Sequence, residues 1–198
     1  LGDVYKRQVD DGGSLTALHR YIDLLNDHPN LRMTFFVISD NPNWKSVSRR
    51  LLPLVQTGQV QLANHTKQHR DLTELSDSKI RYQLIECDKF LRGTFGHTAR
   101  PFYRPPYGEV NSRVTRVAEE IGFSKAMLWY GSFGSGAGVK SSSVLQMATR
   151  WIGDERIVID HANSMATPYV FDQILGLIKS RHLKTVTCLL YTSDAADE

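Results

Sequence analysis

The sequence predicts an α/β fold built on one parallel sheet, and three observations carry that prediction. Short runs rich in β-branched and aromatic residues alternate with longer segments whose apolar positions recur at helical spacing, the pattern of repeated βα units. Several of the short runs are apolar throughout, as strands covered on both faces are. At 198 residues with 41% hydrophobic content, the chain can bury one sizeable core and reads as a single domain.

The elements follow in order. Val9-Asp10-Asp11 ends a first strand, and Gly12-Gly13 supplies the unusual backbone angles for leaving it. Ser14 caps a helix whose Leu15, Leu18, Ile22 and Leu25 share one face, with His19 and His28 read as surface residues. Met33 to Ile38 is the second strand. A helix from Trp44 to Thr57 stops at Gly58, and Pro53 is expected to kink or shorten it. Val60 to Ala63 is a third strand delivering His65 and His69, separated by three residues, into a loop. Asp77 is the expected cap of a helix reaching about Gly93, with Ile80, Leu84, Cys87 and Leu91 inward.

Phe102 to Gly108 is a stiff loop. Pro105 and Pro106 delete two donors and restrict the backbone, which fixes the directions of Arg104 and of the Tyr107 N–H. Asn111 caps a helix ending at Gly122, and Ala126 to Trp129 reads as a short strand. Gly131 to Gly138 reads as a flexible loop, without the lysine or spacing of a phosphate-binding loop. Ser141 to Ile152 is a helix and Arg156 to His161 a strand. Thr167 and Pro168 suit the cap and first turn of a helix reaching about Arg181, and Lys184 to Thr187 opens a last strand. His97 and His182, near helix ends, receive no role.

Both ends read as foreign. Leu1 to Gln8 matches the in-frame translation of a transposase-type sequencing adapter, and Cys188 to Glu198 that of the opposite adapter strand. Residues 1–8 and 188–198 are therefore set aside as a non-native scar, leaving 9–187 as the expected domain and a fragment of a longer gene. The net charge of +3 becomes +5 once Asp3, Lys6 and Arg7 (net +1) and Asp194, Asp197 and Glu198 (net −3) are removed. Without a dense Lys/Arg tract this balance makes no case for nucleic acid. No apolar run approaches a membrane span. Cys87 is the single cysteine of the natural segment, so no disulfide can form within it.

Asp10 and Asp11, His65 and His69, Arg104, Trp129 and His161 all fall at or just beyond the carboxyl ends of predicted strands. In a β/α barrel that rim carries the chemistry. Taken singly each stretch has a plain reading as a turn, but together they assemble groups able to do chemistry on one face.

The motifs Val9-Asp-Asp-Gly, Met33-Thr-Phe-Phe, Asn64-His-Thr-Lys-Gln-His, Arg104-Pro-Pro-Tyr-Gly and Ile159-Asp-His resemble, in this order and at these intervals, the polysaccharide deacetylase family (carbohydrate esterase family 4). The likeness spans essentially all of 9–187. It implies an incomplete or distorted (β/α)7 barrel that removes N- or O-acetyl groups from sugars with the help of a divalent metal. Carried over by residue, the resemblance makes Asp11, His65 and His69 the metal ligands, a set suited to Zn2+ and open to Co2+, Ni2+ or Mn2+. It makes Asp10 the general base for the attacking water, oriented by Arg104, and His161 the general acid. The Tyr107 N–H meets the oxyanion. Tyr103 and Trp129 are candidate walls of a sugar groove, though core packing is the favoured reading of each.

One motif departs. Where the family carries an Asp-bearing segment whose carboxylate orients the acid histidine, this chain has Trp129-Tyr130-Gly131-Ser132-Phe133-Gly134-Ser135-Gly136, with no acidic residue. Asp154 is the candidate substitute, while Asp160 is expected to face away from His161's side. The implied substrate is an acetylated glycan (peptidoglycan, chitin-type oligomers or acetylated xylan), and the implied location is secreted or cell-envelope. The alternatives are an amidase of the same fold acting on a small non-acetyl amide, and a catalytically weak glycan-binding module. The oligomeric state is not readable.

Overall fold

Eight strands and six helices follow one another as β1 (Val4–Asp11), α1 (Leu15–Asp27), β2 (Met33–Val37), α2 (Asn43–Gln56), β3 (Val60–Asn64), α3 (Asp77–Phe95), β4 (Phe102–Tyr103), α4 (Ser112–Glu119), β5 (Lys125–Ala126), β6 (Gly131–Ser132), α5 (Ser141–Trp151), β7 (Ile157–His161), α6 (Phe171–Ser180) and β8 (Lys184–Thr185) among the described residues. The structure, a computed structural model, describes residues 4–189, so 1–3 and 190–198 of the end segments lie outside it. The strands pair in parallel in the order β5-β4-β3-β2-β1-β7-β6, and β8 joins Val4 and Tyr5 of β1. The sheet curls into a half-barrel with the helices outside, the expected α/β architecture. Residues 127–130 bridge its two edges, Met127 N–H reaching Tyr103 O and Tyr130 N–H reaching Ile157 O, each at 2.8 Å.

β1 is the centre of the sheet, and its period-two alternation explains its polar sequence. Val9 faces the helix layer, packing in the cluster that holds Leu18, Phe35, Trp44 and Leu62. Gln8 and Asp10 face the barrel interior, where both accept hydrogen bonds from the Arg104 guanidinium. Gln8, with Arg7, belongs to the end segment set aside from the sequence. In this chain both are strand residues with buried partners.

Arg7 sits on the helix side beside the rings of Tyr21, Phe133 and Phe171 and pairs with Asp160 at 3.1 Å, both fully buried. The carboxylate of Asp160 also accepts from Tyr21 Oη at 2.5 Å, Thr167 Oγ1 at 2.8 Å and the backbone N–H of His161 at 2.9 Å. Burial, then the nearby Asp160 charge, pushes the Tyr21 phenol well above its ordinary range. Removing one partner strands the other charge in a dry site. Asp160→Ala is therefore expected to lower the unfolding free energy by about 3–5 kcal/mol, read from urea denaturation; a loss below about 1 kcal/mol would mean that Arg7 finds solvent or another partner.

Several expectations are corrected. Residues 131–138 are not wholly loop, because Gly131 and Ser132 pair with Val158 and Ile159 as β6. Glycine is needed at 131, where a Cβ would lie 2.6 Å from the Trp151 ring. The strand expected at Ala126–Trp129 ends at Ala126, since Met127 onward crosses between the sheet edges. Asp77 is not the cap of α3. Ser76 precedes the helix, and Asp77 in its first turn holds Arg113 and Arg116. Thr167 does not cap α6 with its side chain, which is committed to Asp160. Pro53 sits in the last turn of α2 and the helix runs on to Gln56, while Leu15 lies half out of the core at 38% exposure.

Candidate metal centre and catalytic groove

The carboxyl end of β1 turns out of the sheet at Asp11, which takes a left-handed backbone with φ +71°. Trp44 Nε1 and Asn41 Nδ2 hold its carbonyl at 3.0 and 3.1 Å. Gly12 is required next, because a Cβ there would stand 2.7 Å from the Trp44 indole. At the end of β3 the Asn64 side chain is anchored to Leu84 O and accepts from Thr66 N–H, and Thr66 Oγ1 in turn accepts from His69 N–H. Thr66 and His69 are left-handed as well, at φ +69° and +55°. Such conformations are costly for residues with a Cβ, and most of all for a β-branched one. Gln83 of α3 clamps the same loop through Gln68 N–H and the Gln68 side chain.

These turns bring the three expected ligands together, with one donor atom each of Asp11, His65 and His69 lying within 4.8 Å of one another. His65 Nδ1 lies 2.9 Å from Arg104 O, an acceptor only, so Nδ1 carries the hydrogen and Nε2 is left with its lone pair. That Nε2 faces Asp11 Oδ1 at 3.3 Å and Asp10 Oδ2 at 3.5 Å, and His69 Nε2 lies 3.8 Å from Asp11 Oδ1. Asn163 Nδ2 fixes the other Asp11 oxygen at 2.7 Å, while Oδ1 is buried without a hydrogen-bond donor. Lone pairs brought this close repel unless a positive charge screens them. A divalent cation satisfies all three atoms, and one carboxylate with two imidazoles is a donor set such ions accept.

The electrostatics point the same way. Burial opposes ionisation of Asp11, but the proximity of His65, with Asn163 behind it, holds its carboxyl well below the usual range. Burial likewise opposes protonation of His65, yet Asp10 and then Asp11 pull its pKa upward. Burial and the neighbouring His65 push His69 down. The site favours a positive charge at its centre.

Asp10 is 1% exposed and Arg104 fully buried. Arg104 Nη1 meets Asp10 Oδ1 at 2.5 Å, Nε donates to Met127 O at 2.9 Å, and the guanidinium lies 4.0 Å over the Phe36 ring. The carboxylate is thus held in one orientation. His161, at the end of β7, is registered beside Asp10. Tyr107 takes φ +60° in the turn after Pro105-Pro106, its ring 4.7 Å from His69. A cleft of about 410 Å³ is lined by Asp10, Asp11, His65, His69, Arg104 and His161, with Tyr107 and Trp129 among its walls. A larger cavity of about 920 Å³ lies at the amino ends of the strands, against Leu31, Leu175 and Leu183, away from these groups.

Two of the candidate residues lie away from the cleft. Tyr103 is 1% exposed and packs edge-on against Phe123 in the outer core, because alternation along β4 sends Arg104 inward and Tyr103 outward. It forms no wall of the cleft. Asp154 binds Val4 N–H at 2.8 Å, at the opposite end of β1 from the residues beside His161, and cannot serve that ring. The polar atom beside His161 Nδ1 is instead Ser135 Oγ at 3.4 Å. Sequence reasoning missed Ser135 and Asn163; both lie just beyond strand ends, in β6–α5 and β7–α6 connections where no period marks a side chain's direction.

The family described as Polysaccharide deacetylase matches residues 8–126. A peptidoglycan-N-acetylglucosamine deacetylase of Bacillus cereus is 30% identical over 115 residues, 58% of this chain and 40% of that protein. The chain thus spans less than half the length of this relative. The structure of a family 4 carbohydrate esterase from Streptomyces lividans superposes with a TM-score of 0.80 at 20% identity, covering 93% of this chain and 92% of that one. A CE4 family pseudoenzyme from Bacillus anthracis gives 0.81 at 20% identity, over 94% and 64%.

Proposed function

The chain belongs to the polysaccharide deacetylase family, and on that premise we propose that it is a metal-dependent hydrolase removing acetyl groups from a glycan. The observation that carries the reading is Asp11 Oδ1, buried without a donor and facing the bare Nε2 of His65, with a second carboxylate alongside. Asp11, His65 and His69 hold the cation, with Zn2+ the first choice. When bound it supplies Lewis acidity, acidifying the attacking water and polarising the acetyl carbonyl. Asp10 takes the proton of that water, its carboxylate kept in place by Arg104. The Tyr107 N–H donates to the oxyanion, and His161 gives a proton to the departing nitrogen or oxygen. Trp129 and Tyr107 border the path by which a sugar reaches these groups.

A panel of peptidoglycan, N-acetylglucosamine oligomers, acetylated xylan and a small cyclic amide, each with and without added zinc, tests the assignment. Zinc-dependent acetate release from at least one glycan is expected. Turnover of the cyclic amide alone would replace the substrate class. The segment Trp129–Gly136, which offers His161 no carboxylate, favours a second reading as a weakly active glycan binder. Binding of a glycan in the presence of zinc with no acetate release would select it.

A further inference from the structure

We propose that Ser135 is the positioning residue for His161, its hydroxyl receiving the Nδ1 hydrogen so that Nε2 faces the leaving group. The inference rests on the reading of His161 as proton donor. Ser135 lies between the exposed Gly134 and the half-buried Gly136, yet it is fully buried. A hydroxyl withdrawn from water needs partners, and its oxygen has two: His161 N–H at 2.9 Å and His161 Nδ1 at 3.4 Å.

The backbone contact alone does not explain the serine, since the same N–H is also bonded to Asp160 Oδ1 at 2.9 Å. Among the described residues the ring contact has no such duplicate. Asp160 is occupied by Arg7, Tyr21, Thr167 and that backbone N–H on the far side of the strand. A neutral hydroxyl therefore stands where the loop has no acidic residue to offer. In the reaction His161 passes its Nε2 proton to the leaving nitrogen as the C–N bond breaks and the bonding pair moves to that nitrogen. The ring returns to the neutral form with its Nδ1 hydrogen still held by Ser135, and solvent reprotonates Nε2.

Proton donation matters most for a poor leaving group. The test compares a tetramer of N-acetylglucosamine, which must expel an amine, with 4-nitrophenyl acetate, whose phenolate departs unaided, using the zinc-loaded full chain. Ser135→Ala is expected to lower kcat on the tetramer about tenfold, the worth of one hydrogen bond, with KM unchanged and the aryl ester slowed less than twofold. Ser135→Thr keeps the hydroxyl and should recover most of the loss. Should the alanine variant not fold, Ser135→Cys keeps the volume with a weak acceptor and should give the same selective loss. Equal loss on both substrates, or none, overturns the assignment. His161→Ala separates the two levels. If it is selective for the tetramer while Ser135→Ala is not, only the role of Ser135 fails. If His161→Ala is itself unselective, or the parent chain releases nothing from the tetramer, the reading of His161 and the inference fall together.

Discussion

Asp10→Asn is expected to slow acetate release roughly 10²–10⁴-fold, the usual worth of a positioned general base, while the chain still binds one metal ion. The substitution is close to isosteric. The amide oxygen can keep accepting from Arg104 Nη1, which meets Asp10 Oδ1 at 2.5 Å, so the buried guanidinium is not stranded. What disappears is a carboxylate beside the cation site that is not needed to grip the ion: the gathered donors are those of Asp11, His65 and His69. Acetate measured by a coupled assay at saturating substrate reads the effect. A rate within threefold of the parent would remove Asp10 from the mechanism.

Asp11→Asn should abolish turnover as completely as a chelator does. This side chain contributes the one negative charge among the three donors, and its Oδ1 is the atom left without a hydrogen bond. An amide there is a weaker ligand, and its NH2 group would meet the Asn163 Nδ2 donor that now lies 2.7 Å from Asp11 Oδ2. The loss of metal affinity should exceed the roughly 10–100-fold typical of removing a merely supporting group. Activity that survives both Asp11→Asn and chelation of the parent would place the chemistry elsewhere.

The long elements were legible because their periodicity is strong: Ile80, Leu84, Cys87 and Leu91 recur along α3 and all are fully buried. The two-residue strand β6 was not, since two residues carry no period, and β5 was expected with its bounds too far along, at Ala126–Trp129. Glycine is needed at 131 because Trp151, distant in sequence, leaves no room for a side chain. Among the site residues, strand-end acids and histidines declare themselves by position. Of the two readings open for Tyr103, core packing holds, because the alternation of β4 places it opposite Arg104. Asn163 and Ser135 depend on where β1, β6 and β7 lie in space, which no local pattern in the chain records. The left-handed turns at Asp11, Thr66 and His69 are likewise tertiary outcomes, held by Trp44, Asn64 and Gln83.

Titration calorimetry of zinc into the metal-stripped chain, beside the same titration of Asp11→Asn, tests the account most directly. One ion per chain, bound tightly by the parent and only weakly by the variant, is the predicted result. No binding by the parent, or equal affinity in the two proteins, would contradict it.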